Sequence, residues 1–141
     1  QLVYDFYPTH VTLTVDAAPT PFGIAYRGVP GGELDASDRF VLADGASQDA
    51  TISSLVDLPG PMEWTYIADT GLGRSFFSIH HGDDALTDRY QVRDNDSPMI
   101  SFGDGDLTSL PARFSFGLIE SSAHETVTER VEFIIGAIPP P

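Results

Sequence analysis

Apolar and polar residues alternate along most of this chain. The clearest case is His10-Val11-Thr12-Leu13-Thr14-Val15-Asp16. Val11, Leu13 and Val15 take one face of a strand there, and Thr12 and Thr14 take the other. The same texture predicts strands over Leu2–Tyr7, Phe22–Arg27, Arg39–Ala43, Thr51–Val56, Glu63–Ala68, Arg74–His80, Arg89–Arg93, Met99–Phe102, Ala112–Ile119 and Val127–Ala137. These segments are rich in Val, Ile, Thr, Phe and Tyr, which suit a pleated, half-buried surface. Between them stand turn signals such as Pro30-Gly31-Gly32, Asp44-Gly45, Pro59-Gly60-Pro61, Asp94-Asn95-Asp96 and Asp104-Gly105-Asp106. Short strands with turns every ten residues or so predict an all-β, antiparallel β-sandwich of jelly-roll or Ig-like build, with about eight to eleven strands.

The C-terminal stretch Val127-Thr128-Glu129-Arg130-Val131-Glu132-Phe133-Ile134-Ile135 alternates and then turns apolar on both faces, as an inner strand does. Three prolines, Pro139 to Pro141, end ladder pairing after it. The pattern therefore predicts one sandwich domain over residues 1–137 and a proline-rich tail over 138–141. Helix is confined to short pieces, Ala46–Ala50 or Ser121–Glu125. No internal repeat is present.

Charge narrows the partners. The 141 residues carry 21 acids, 15 of them Asp, against seven bases, all Arg, for a net charge of −14. A nucleic-acid partner needs a basic footprint, and so does an anionic membrane surface; neither is here. No apolar run is long enough to span a bilayer. The chain lacks Cys, which removes disulfides, thiol catalysis and Cys-ligated metal together. A Gln at position 1 suggests a processed terminus and an exported protein, extracellular or on the cell surface.

A resemblance enters at the C-terminus. The stretch Ile135-Gly136-Ala137-Ile138-Pro139-Pro140-Pro141 is similar to the end of PEP-CTERM exported proteins, where a last strand runs into a Val-Pro-Glu-Pro-type sorting motif. Tyr4-Asp5-Phe6, Asp88-Arg89-Tyr90-Gln91-Val92 and Ser115-Phe116-Gly117-Leu118 share that family's texture. Position 140 is Pro where the namesake motif has Glu, a departure from the family's pattern. The resemblance implies a bacterial surface or extracellular-matrix role and transfers no catalytic residue.

Two clusters could bind cations. His80-His81-Gly82-Asp83-Asp84 joins imidazoles to carboxylates. Adjacent residues on a strand point to opposite faces, however, so the two His cannot share one ion inside a strand. The plainer reading has His80 closing a strand and Gly82-Asp83 turning the chain. Asp94 and Asp96, with Asp104 and Asp106 after a short strand, could supply loop oxygens to calcium. The spacing is not that of an EF-hand, and turn formation alone accounts for both triplets. His10 and His124 stand alone and read as surface residues.

Enzyme signatures are missing: no Gly-x-Ser-x-Gly elbow, no His-Glu-x-x-His, no phosphate-cradling or dinucleotide glycine motif. The reading is a non-enzyme without a resident cofactor, calcium being the one candidate. Trp64 and Tyr66 alternate onto one face and could stack on a polysaccharide, although such rings more often fill a core. The N-terminal strands bear Leu2, Tyr4, Phe6, Val11, Leu13 and Val15 without a basic residue among them, so an edge there could template pairing with a neighbouring copy. Two functions follow as expectations. The first is an exported structural or adhesive surface or matrix protein that self-associates, as in a filament with strand exchange. The second is a calcium-dependent carbohydrate-binding module.

Overall fold

The computed structural model describes residues 1–28, 34–50, 56–58, 64–82, 86, 88–93, 97–120 and 124–137, with backbone alone at 56–58, 91–93, 97, 104, 124–125 and 136–137. Among them run eleven strands and one helix, in the order β1 (Leu2–Phe6), β2 (Val11–Val15), β3 (Phe22–Arg27), β4 (Arg39–Leu42), β5 (Ser47–Asp49), β6 (Val56–Leu58), β7 (Trp64–Asp69), β8 (Arg74–His80), β9 (Asp88–Arg93), β10 (Ser97–Leu107), β11 (Ala112–Ile119) and α1 (His124–Ala137). The strands form a seven-stranded sheet, β1-β2-β11-β8-β7-β4-β5, and a four-stranded sheet, β3-β10-β9-β6. Every pairing is antiparallel. The all-β sandwich read from the alternation is the observed architecture.

Register sorts the side chains. Val15 lies opposite Ala112, Leu13 opposite Phe114, and Phe114 opposite His80. Residues directly opposite share a face, so these belong to the inner face, toward the small sheet. Val15, Phe40, Ile67 and Phe114 meet Tyr90, Ile100, Phe102 and Leu107 there in one buried cluster. The Phe40 and Tyr90 rings stack with centroids 3.9 Å apart, and the Tyr90 hydroxyl donates to the Ala50 carbonyl at 2.6 Å. Burial, with Asp38 and Asp49 nearby, pushes the Tyr90 pKa up, so the phenol stays a donor.

The outer face of the large sheet is apolar at its centre as well. All six residues of β7 are buried. Trp64, Tyr66, Phe77 and Ile79 on that face pack against Val127, Val131 and Ile134 of α1. The molecule therefore has three layers: small sheet, large sheet, helix.

The helix overturns the prediction of a last strand over Val127–Ala137. Val127, Val131 and Ile134 are spaced four and three apart, the period of one helix face, and all three are buried while Phe133 is exposed. β-branched content suggested a strand; the need to cover Trp64, Tyr66 and Phe77 decides otherwise. The short helix expected over Ala46–Ala50 is instead β5, an edge strand paired with β4. Of the strand expected over Thr51–Val56, residues 51–55 lie outside the described residues, and Val56 opens β6. Residues 121–123 of the other helix candidate, and the tail 138–141, also lie outside them.

Asp104-Gly105-Asp106 is not the turn it resembles. It sits within β10, whose pairing with β3 shifts register between Phe102 and Leu107. Gly103 takes φ +68° there, and a Cβ on it would fall 2.3 Å from Leu107 Cγ. A bulge needs such a residue. The Gly103 N–H donates to the buried Asp88 carboxylate at 2.9 Å, which ties the bulge to β9.

Helix and strand make opposite forecasts at two neighbouring positions. Ile134→Ala should cost about 2–5 kcal/mol of unfolding free energy, whereas Phe133→Ala should cost less than about 1 kcal/mol. In a strand, Phe133 would share a face with Val127 and Val131, and the order would reverse. Denaturant melts of the two variants check this.

Candidate functional site

The margin of the large sheet at β1 and β2 differs from its centre, because cover is incomplete on both faces. β1 is an edge strand. Its register puts Leu2 opposite Val15, Tyr4 opposite Leu13 and Phe6 opposite Val11. Leu2, Tyr4 and Phe6 therefore extend the inner, apolar face outward, yet they are 56%, 54% and 79% exposed. Leu13 and Val15 are buried on β2, the second strand of the sheet. Of the six residues expected to make contacts with a neighbour, Val11, Leu13 and Val15 lie one strand inward and pair within their own sheet. Only the three on β1 stand at the edge.

A cleft opens on the opposite face of the same margin. Its floor is the polar side of β2 and β11, with Thr12, Thr14 and Arg113, and its roof is α1, with Arg130, Phe133 and Ile134. The turn between β1 and β2 closes one end. The Tyr7 N–H donates to the His10 carbonyl at 2.9 Å across Pro8 and Thr9, which closes the connection between the two strands, and the Pro8 ring fixes its own φ there. The turn stacks the Tyr7 and His10 rings, centroids 4.5 Å apart and nearly parallel. Asp5 of β1 stands at the exposed rim. The volume is about 380 Å³, within the size range of small-ligand sites.

Gly117 lets this end close. A Cβ there would lie 2.5 Å from the Thr9 carbonyl and 2.4 Å from the Phe77 ring. The turn and the core ring both need that space.

The electrostatics of the cleft run against those of the chain. Arg113 and Arg130 both line it, and among the described residues no carboxylate forms an ion pair with either. The Arg130 guanidinium lies 5.7 Å from the centre of the Phe133 ring, a cation–π contact. Burial, and then the Arg130 charge, lower the His10 pKa, which favours a neutral imidazole.

Behind the floor, Thr12 Oγ1 and Ser115 Oγ share a hydrogen bond of 2.8 Å, and Ser115 Oγ and His81 Nε2 share one of 2.9 Å. Ser115 is fully buried, so its hydroxyl cross-links β2, β11 and the end of β8 and offers no accessible nucleophile. Burial first, then the charges of Arg113, His80 and His10, depress the His81 pKa to about 4.

The sequence candidates fall as follows. His80 is buried on the inner face, stacked on Phe114 at 4.7 Å, while His81 faces the outer side, so the pair is split across the sheet as alternation requires. Asp83 and Asp84 lie outside the described residues, as do Asp94 and Asp96. Asp106 is exposed on β10, and of Asp104 only the backbone is described. Asp106 stands nine residues beyond Ser97 along one strand, ~30 Å at 3.3 Å per residue before the bulge shortens it. Among the described residues no three His, Asp or Glu side chains form a metal-holding group. Trp64 and Tyr66 do share a face, but it is the one α1 covers; they are 4% and 0% exposed and offer no open ring to a sugar. His10, read as an isolated surface residue, is half-buried in the cleft wall.

The cleft itself was not foreseen. Its one sequence signal is the polar side of two predicted strands, Thr12 and Thr14 on one and Arg113 and Ser115 on the other. Nothing in the sequence joins Arg130 to them. No helix among the described residues is long and apolar enough to cross a membrane. Comparison with protein-family models, curated proteins and solved structures finds no match to this chain.

The depressed His81 pKa has a defined sign. In the unfolded chain the imidazole titrates near 6.5, and in the fold near 4. Between these values the unfolded state binds more protons, so acid drives unfolding there. Acidification from pH 6.5 to 4 should lower the Tm of the native chain more than that of His81→Gln, which cannot take up this proton. Thermal melts across that window measure the difference.

Proposed function

We propose that this chain works by association with copies of itself along β1, as an exported surface or matrix protein. The observation that carries the reading is the row Leu2, Tyr4 and Phe6, more than half exposed on an edge strand. Edge strands in monomers are normally blunted by Lys, Pro or a bulge, because free N–H and C=O groups template pairing. β1 has the sequence LVYDF, and its one charge, Asp5, lies on the face opposite Leu2, Tyr4 and Phe6.

The strand is also self-complementary. Two copies paired antiparallel about Tyr4 would set Tyr4 against Tyr4 and Leu2 against Phe6. Val3 would then oppose Asp5, which keeps the two carboxylates apart. Such an isologous contact obeys the two-fold symmetry usual in homodimers, and its cross-strand apolar pairs contribute roughly 0.2–1 kcal/mol each. The net charge of −14 works against it. Repulsion between exposed charges is screened over roughly 8 Å at physiological salt, so association should strengthen as salt is added.

Sedimentation velocity across protein and salt concentration tests this. The native chain should associate, more so at high salt, and Tyr4→Lys with Phe6→Lys should weaken association at least about tenfold. Both side chains are exposed, so the monomer should remain folded. A native chain that stays monomeric at millimolar concentration and high salt would rule the reading out.

A further inference from the structure

We propose that the cleft between the β1–β2–β11 margin and α1 binds a small organic carboxylate with a flat apolar body. The proposal is independent of association along β1.

The cleft has two kinds of wall. Arg113 rises from the sheet and Arg130 descends from the helix into a cleft of about 380 Å³. Among the described residues neither is neutralised by a carboxylate. Two of seven Arg thus converge in a chain that carries 21 acids. A fold with this excess of acid has ample partners for any surface Arg, so two unneutralised guanidinium groups in one half-closed cleft call for an anion from outside. Guanidinium matches a carboxylate with paired, directional donors. The Thr14 hydroxyl on the floor adds a neutral donor beside Arg113, while the Thr12 hydroxyl is taken by Ser115.

The remaining walls are apolar. Phe133 and Ile134 line the roof, and the stacked Tyr7 and His10 rings close the end. Phe133 is two-thirds exposed, a cost that a ligand body lying against it would relieve. A bare inorganic ion would use the cations and leave these walls wet. A neutral apolar molecule would use the walls and leave the cations unmet. A carboxylate on a flat ring satisfies both.

Asp5 at the rim sets the direction of a second effect. Its charge opposes an anion, so removing it should tighten binding.

Benzoate is the probe, with benzamide as its uncharged counterpart and acetate as the head without the body. On the full chain, calorimetry should show saturable benzoate binding, with benzamide and acetate at least about tenfold weaker. Arg113→Gln and Arg130→Gln should each weaken benzoate at least about tenfold, Asp5→Asn should tighten it, and Arg74→Gln, on a distant strand end, should leave it unchanged. The proposal is overturned if benzoate does not saturate, if benzamide binds as well as benzoate, or if neither Arg variant matters. Should an Arg variant fail to fold, amide chemical shifts of the native chain decide. Benzoate must perturb His10, Thr12 and Thr14, and perturbation confined to other regions overturns the assignment.

Discussion

Everything in this fold follows from a large sheet that is apolar on both faces at its centre. β7 has no exposed residue. Ile67 belongs to the cluster beneath the small sheet, and its neighbour Tyr66 to the cluster beneath α1. A strand of this kind is stable only between two covers, since leaving either face wet would forfeit roughly 25 cal/mol for each Å² of apolar surface. The four-stranded sheet supplies one cover and the C-terminal helix the other.

The two covers are narrower than the sheet they cover. α1 lies over Phe77, Ile79, Trp64 and Tyr66 at the centre. Toward β2 and β1 the outer face turns polar, with Thr12, Thr14 and Asp5, and the helix leaves a cleft above it. On the inner face the core reaches Val15 and Leu13 of β2 but leaves Leu2, Tyr4 and Phe6 of β1 in water. The exposed apolar row and the cationic cleft therefore have a common origin: one margin of one sheet overhangs both of its neighbours. The two faces of β1 differ: one carries the apolar row, and the other sets Asp5 at the rim of the cleft.

Buried polar groups hold this margin in register. The Thr12–Ser115–His81 chain of hydrogen bonds links the second, third and fourth strands from the edge. Burial, and then the charge of Arg113, favour a neutral imidazole at His81, at the end of that chain. On the far side, Asp88 does similar work for the β10 bulge. These contacts join residues distant in sequence, and they decide which side chains line the cleft floor.

Alternation alone placed most of the strands, among them β2, β3, β4, β7, β8 and β11, because a period of two is a local property that each segment carries independently of its partners; β5 and the far end of β10 were not legible in this way. Alternation also determined that His80 and His81 lie on opposite faces and that Thr12 and Thr14 face away from Leu13. The net charge of −14 is likewise legible without the fold, because it is a sum that folding does not change; where the charges gather is not. Three matters were left to tertiary structure. Residues 127–135 carry both a strand-like composition and a helical stripe, and only the uncovered Trp64–Tyr66–Phe77 surface chooses between them. Asp104-Gly105-Asp106 reads as a turn until pairing with β3 makes it a bulge inside a strand. Arg113 and Arg130 lie 17 residues apart on different kinds of element, and no local pattern joins them. Their convergence depends on where the helix crosses the sheet, which long-range packing decides.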